Sequence, residues 1–599
     1  MITPVAAKTS ADGISTSLRF AKPTISYEID AHLDVGNKYL DAKAVFTYKN
    51  NSPDTLTHLY FELPHQLYAT QETEGQSLQA GSKKVRFISV NNSPLQFEQH
   101  GGIYAVKLNN ALHTGQSITL HLIWDLQLIP RTHPARPRGG FEILNDGSTL
   151  LAVSEWYPRI LGYDSRHQWD LLPFKGKGEF HSEFASFEVS LSVAENYFVF
   201  TNAPSLIGSE ANPQSQTQTT VKKVLANTSS PSSAKVRTLR YKGLHQRDFT
   251  FAVVNNVVWE RMSINTSNGI TNINVIYPNN GRWLWQHHAM DATRHAIDYL
   301  DSTIAPFPFQ EYTVINIAGI GMEYSGLTFV GFRGPSSENG VKPDYSRTQY
   351  YDVIAGIIHE VAHSYFPMLV NTNERREGFL DEGLTSYLAY LTEQAFSEDF
   401  QSFYGDAQAL VPVFNSQFHP PVTLADDAAS KLDSHYHIPA TAWNILGRQI
   451  IGQERLLSLL NAFIRNNMYE RVYFDDLTNF INAQTGDDLT PFFNDWFISG
   501  EHVDLAIESV NQHANIIDIS IANLGGIETP VTLQLVFANG EIQSHLLSYK
   551  TWQQAQNQRI HITLNSPVKL TKAQLDPHRN SADVNRVNNV WFANAQALE

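Results

Sequence analysis

His359 and His363 stand four residues apart with Glu360 beside the first, in the run Ile358-His-Glu-Val-Ala-His-Ser-Tyr-Phe-Pro367. On a helix this spacing puts both imidazoles on one face, a single turn apart, where they can share one Zn2+ at about 2.0–2.1 Å. Glu360 is rotated about 100° from His359, so its carboxylate can touch a zinc-bound water without taking a ligand position. Two histidines leave a tetrahedron incomplete, and the acidic residues that follow are Glu374, Glu377, Asp381 and Glu382. Phe379-Leu-Asp-Glu-Gly383 opens a second apolar-periodic segment, and a carboxylate at its start can face the first helix. Glu382 is therefore the expected third ligand; the adjacent Asp381 points to another face.

The elements that must position these groups are legible nearby. Ser346-x-x-Gln349 is a capping box and Pro367 marks the far end, so one helix is expected between them. Ile354, Ile357, Ile358, Val361 and Tyr365 form its apolar stripe, and Leu384, Tyr387, Leu388 and Leu391 form that of the following helix. Upstream, residues 282–300 read as a helix stopped by Pro306 and Pro308, and residues 312–317 as a short apolar strand. The first third is strand-like: Tyr27, Ile29, Ala31, Leu33 and Val35 alternate with polar residues, as do Phe187, Val189, Leu191 and Val193. Residues 209–234, rich in Ser, Thr, Asn, Gln and Pro, read as an exposed loop. Alternation returns at Ile517, Ile519 and Ile521 and at Val531, Leu533, Leu535 and Phe537. The expected order is a tail (1–20), an N-terminal antiparallel β domain (21–258), a catalytic domain (259–502) and a C-terminal β-sandwich (503–599).

Composition narrows the function classes. The chain has 599 residues, 42% of them hydrophobic and 11% aromatic, enough for packed cores. A formal net charge of -16 argues against a nucleic-acid partner, which calls for a basic face. No apolar run approaches the roughly 18 residues of a membrane-spanning helix. With no cysteine, disulfides, thiolate zinc sites and cysteine nucleophiles are all excluded. The first residues lack the apolar core of a secretory signal, which fits a cytoplasmic protein or a mature form whose leader has been removed.

His359-Glu-x-x-His363 followed by Glu382, with Asn373-Glu-Arg375 and Leu380-Asp-Glu-Gly383 around it, resembles the gluzincin family of aminopeptidase N and leukotriene hydrolases. Residues 27–35, Asn50-Asn-Ser-Pro-Asp54 and Leu489-Thr-Pro-Phe-Phe-Asn-Asp-Trp-Phe497 resemble further parts of it, so the likeness extends over much of the chain. The resemblance implies a bacterial-type zinc aminopeptidase: an N-terminal β domain, a thermolysin-like α+β catalytic domain and a C-terminal β-sandwich, with one Zn2+ per chain. It strengthens Glu382 as the third ligand. In Gly319-Ile-Gly-Met-Glu-Tyr324, Met322 and Glu323 match a strand whose glutamate binds the substrate's free amino group, while Tyr324 replaces an asparagine. Gly321 and Met322 join Glu323 as implied substrate-binding residues. Tyr436 stands for the family's catalytic tyrosine ahead of a helix over residues 443–451, though the Lys-Gly pair that usually follows it is missing. Glu155, in Ser154-Glu-Trp-Tyr-Pro-Arg159, falls where the family's N-terminal domain sends a polar side chain into the site.

The chemistry implied is peptide hydrolysis with free-N-terminal peptides as substrates. Zinc lowers the pKa of bound water to around 7, Glu360 moves its proton, and zinc and Tyr436 share the developing oxyanion. Glu323, aided by Glu382, would hold the substrate ammonium. The rivals are an endopeptidase or epoxide-hydrolysing relative, and a non-catalytic scaffold, which would be expected to lack ligands or base. His287, His288 and His295 share one helix without an acidic pattern; His435 and His437 flank Tyr436; Trp156 and Tyr157 read as core or as pocket lining.

Overall fold

The computed structural model describes residues 24–70, 82, 84–89, 92–133, 138–164, 166–207, 221–225, 235–334 and 343–593. The expected tail and most of the expected loop at 209–234 lie outside them. The chain divides into two compact units. One comprises Met1–Arg375, Thr392–Gln401 and Ile464–Val472; the other comprises Arg376–Leu391, Ser402–Phe463 and Tyr473–Glu599.

The first unit begins with a seven-stranded sheet whose central strands are Ala185–Ala194, Thr24–Asp34, Tyr39–Lys49 and Ser117–Gln127, in that order. Strand Leu56–Glu62 belongs to a separate four-stranded sheet. Tyr27, Ile29, Ala31 and Leu33 are buried while their neighbours alternate outward, as a period of two requires. They join Phe46, Phe61, Trp124, Trp156 and Phe187 in one core cluster. One pairing departs from the antiparallel expectation: Thr24–Asp34 runs parallel to Ala185–Ala194, in register Ser26↔Ser186 to His32↔Ser192. Alternation specifies which face turns inward but not strand direction, and the long connection between these two strands permits the parallel arrangement.

A six-stranded sheet follows, in the order Val221–Leu225, Val257–Thr266, Gly269–Pro278, Glu311–Asn316, Leu327–Val330 and Gly321–Tyr324. The last is a four-residue edge strand. Helices α1 (Arg282–Thr303) and α2 (Arg347–Ala362) pack on this sheet and on each other. The capping box is present: the Gln349 amide N–H donates to Ser346 Oγ at 3.3 Å, and the Ser346 N–H donates to Gln349 Oε1 at 2.9 Å. Ile354, Ile357, Ile358 and Val361 are buried, each worth roughly 1.5–3 kcal/mol of apolar transfer. The helix stops earlier than Pro367 suggested. His363 is its C-cap, with φ -59° and ψ -12°, so the ring keeps the helical direction although the ladder has ended.

In the second unit, helix α3 (Gly378–Phe396) supplies residues 378–391, with Leu384, Tyr387 and Leu388 buried as the stripe predicted. Residues 432–451 form one run of helix with π-helical turns at Leu432–His437 and Leu446–Ile451 around Ile438–Ile445. Tyr436 therefore sits inside a helical turn, not ahead of the helix. Phe474 and Trp443, with ring centroids 4.7 and 5.7 Å from that of Phe497, form an aromatic core with it. Two small sheets end the chain. One pairs Leu505–His513, Ile516–Asn523 and Arg559–Asn565; the other orders Ile542–Leu547, Val531–Phe537, Leu570–Leu575 and Val590–Phe592. Among the described residues no helix is long and apolar enough to cross a membrane.

Candidate metal centre

Helix α2 delivers the two histidines as their spacing required. His363 is 1% exposed, so its polar atoms need partners. Its Nδ1 lies 2.9 Å from the Phe366 carbonyl oxygen, which can only accept, so Nδ1 carries the proton. The neutral ring then presents its lone pair at Nε2. That atom lies 3.2 Å from Nε2 of His359, with the ring planes at 90°. Two nitrogens coordinating one tetrahedral zinc at about 2.0–2.1 Å would stand about 3.3–3.4 Å apart, so the pair fits. Two imidazole nitrogens that converge in this way suit Zn2+.

Glu360 is buried on the same helix. Thr328 Oγ1 donates to the Met322 carbonyl at 2.8 Å and lies 3.3 Å from Glu360 Oε2. Strand Gly321–Tyr324 pairs antiparallel with Leu327–Val330, with Glu323 opposite Thr328. This places the strand alongside the carboxylate: a Cβ on Gly321 would meet Glu360 Oε1 at 2.8 Å. A side chain at 321 would displace the base. Glu323 and Met322 are both buried, and the Arg138 guanidinium touches the Met322 sulfur and the Glu179 carboxylate.

Glu155 is 1% exposed and adopts a left-handed φ of 46°. Tyr324 Oη donates to its Oε1 at 2.7 Å, and Ser154 Oγ donates to its Oε2 at 3.3 Å. Burial pushes this carboxyl up to about 7, against the pull of the Arg159 guanidinium. Trp156 and Tyr157 are core residues: both are buried within the N-terminal cluster, and the Trp156 indole donates to the Phe249 carbonyl at 2.7 Å.

The second unit builds the surroundings of Glu382. Gly383 is needed behind it, since a Cβ there would lie 2.4 Å from Pro439 Cγ. Tyr436 Oη donates to Glu382 Oε1, and Lys431 Nζ donates to the same oxygen at 3.1 Å. The ammonium also lies 5.4 Å from the Tyr436 ring centroid. Lys431 escaped the sequence reading, which looked for a lysine after Tyr436; it stands five residues before it, and helical winding brings it round. His435 turns away to the Thr423 carbonyl at 2.8 Å, and His437 packs against Tyr404 with centroids 4.8 Å apart. Among the described residues, no metal-holding group includes His287, His288 or His295.

Residues 288–496 match the family model for the peptidase family M1 domain. Among solved structures, the crystal structure of Legionella pneumophila aminopeptidase A in complex with aspartic acid is similar in fold, with a TM-score of 0.61 and 14% identity. The likeness covers 94% of this chain and 59% of that one, so the chain spans about three-fifths of that protein's length. No curated protein matches the chain. Residues 288–496 are thus similar to the peptidase family M1 domain, in agreement with the family that the motifs resemble.

Proposed function

We propose that the protein is a zinc metallo-aminopeptidase that removes residues from the free amino end of peptides. The observation that carries this reading is the pair of imidazole Nε2 atoms 3.2 Å apart at the end of α2. His359, His363 and Glu382 would hold the ion. Bound zinc supplies Lewis acidity, which polarises the scissile carbonyl and brings the pKa of water to around 7. Glu360 accepts the proton of the attacking water on a carboxylate oxygen and returns it to the leaving amine. Tyr436 Oη would donate to the oxyanion that develops on the scissile carbonyl oxygen, a contribution of several kcal/mol for a well-placed donor. Glu323 receives the substrate ammonium, whose burial without a carboxylate would be costly. Gly321 and Met322 flank it, and Glu155 stands behind Tyr324. In this reading the regions 21–258, 259–502 and 503–599 are an N-terminal β domain, a thermolysin-like catalytic domain and a C-terminal β-sandwich.

Aminoacyl reporter hydrolysis, with and without phenanthroline, tests the reading directly. Activity that survives chelation, or that persists in Glu360→Gln, contradicts it. Equal cleavage of free and N-acetylated peptides would instead favour an endopeptidase and remove Glu323 from its role.

A further inference from the structure

The strand that carries Glu323 has little of its own to hold it. It is four residues long, lies at the edge of its sheet and pairs on one side only, with Leu327–Val330. A short edge strand depends on what lies at its ends. At the leading end, Arg131 donates from Nε to the Ala318 carbonyl at 3.0 Å and from Nη2 to the Gly319 carbonyl at 2.8 Å. The Ala318 N–H donates to Glu142 Oε2 at 3.1 Å, and Glu142 is in turn gripped by both Nη atoms of Arg333 at 2.7 and 2.8 Å. At the trailing end the tie is the Tyr324 phenol on Glu155 Oε1 at 2.7 Å.

Glu155 is placed for that contact at some cost. Its left-handed φ of 46° is disfavoured for a residue with a side chain and persists where the surroundings over-determine it. They do so here. The Ser154 carbonyl accepts from His65 Nε2 at 3.0 Å, the Trp156 carbonyl accepts from the Trp124 indole at 2.7 Å, and the Trp156 indole donates to Phe249. With the backbone pinned on both sides, the carboxyl group has one direction, and it meets the phenol. Both of its oxygens are engaged there, and it is 1% exposed.

We propose that Tyr324 and Glu155 form a strut that sets Glu323 for the substrate ammonium, so that Glu155 is a positioning residue and not an ammonium ligand. This rests on the aminopeptidase reading and deepens it. The strut uses the length of Tyr324: its phenol spans from the edge strand to residue 155. A carboxyl raised to about 7 by burial also makes a poor permanent counter-ion but a good hydrogen-bond acceptor.

The test compares Tyr324→Phe, Glu155→Ala, Glu155→Gln and the Tyr324→Phe/Glu155→Ala double variant in the zinc-loaded full chain. KM and kcat are measured separately on an aminoacyl reporter, and melting confirms folding. Tyr324→Phe and Glu155→Ala should each raise KM about tenfold with kcat within about threefold, and the double variant should be no worse than either. Glu155→Gln should recover most of what Glu155→Ala loses, because its amide oxygen still accepts from the phenol. If Glu155→Gln is as damaging as Glu155→Ala, the charge itself meets the substrate and the strut is overturned. Additive effects, a fall in kcat at constant KM, or lower melting temperatures with unchanged KM overturn it as well. A wild-type protein without turnover would count against the aminopeptidase reading, separately from these comparisons.

Discussion

Helices α1 and α2 lie against each other in the first unit, and both carry histidines, yet only on α2 do two imidazoles converge. On α2, His359 and His363 are one turn apart and their Nε2 atoms converge to 3.2 Å. On α1, His287 and His288 are adjacent and diverge by about 100°, while His295 follows His288 by seven residues, about 10.5 Å along the axis. Each α1 ring settles separately. His288 packs on Tyr350 with centroids 4.6 Å apart, and His295 Nε2 donates to the Thr392 carbonyl at 2.9 Å. The difference teaches that residue type matters less than convergence: an ion needs two lone pairs aimed at one point, and the i, i+4 interval supplies that where i, i+1 and i, i+7 do not.

The largest expected effects fall on α2. His363→Ala should lose stoichiometric zinc by elemental analysis and lower kcat/KM by at least about a thousandfold; retained metal would remove the pair from its role. Glu360→Gln should keep its zinc while kcat falls about as far, which separates proton transfer from ligation. Gly321→Ala should sit between these and α1, with kcat reduced roughly ten- to a hundredfold and metal retained, because the new methyl would press on Glu360. Wild-type kcat there would mean that Glu360 has room to move.

His65 offers a third kind of histidine, buried and unconnected with the ion. Burial holds it down to about 4. Its folded value lies below the unfolded one near 6.5, so its stabilising contribution is present above 6.5 and is lost as pH falls through 4. Chemical denaturation at stepped pH should show this loss, on the order of 3 kcal/mol, and His65→Gln should flatten it. The smaller effects belong to α1. His295→Ala should cost about 1 kcal/mol for the lost bond to Thr392, and the exposed His287→Ala should change stability by no more than about 0.5 kcal/mol. Neither should alter zinc content; if either did, the contrast between the helices would fail.

Much of this was open to reading because the interactions concerned are local. The Ser346–Gln349 box, the apolar stripe and the histidine interval all lie within one helix, where three or four residues of separation fix geometry. Glu382 was expected because it opens the next helix and because the family pattern places a carboxylate there. The end of α2 at Ala362, the π-helical turn around Tyr436 and the parallel strand pair were not legible. Each is a choice between backbone arrangements that bury the same side chains, and a hydrophobic pattern does not distinguish them.

The order of residues along the chain thus determined which groups could bind an ion and which helix would offer them, since one turn of helix carries that information. Only the tertiary structure decided how they are held. Tyr324 and Glu155 are 169 positions apart, and Lys431 reaches Glu382 from 49 residues away. Contacts of that kind arise from the packing of whole sheets and helices, and no spacing in the sequence encodes them.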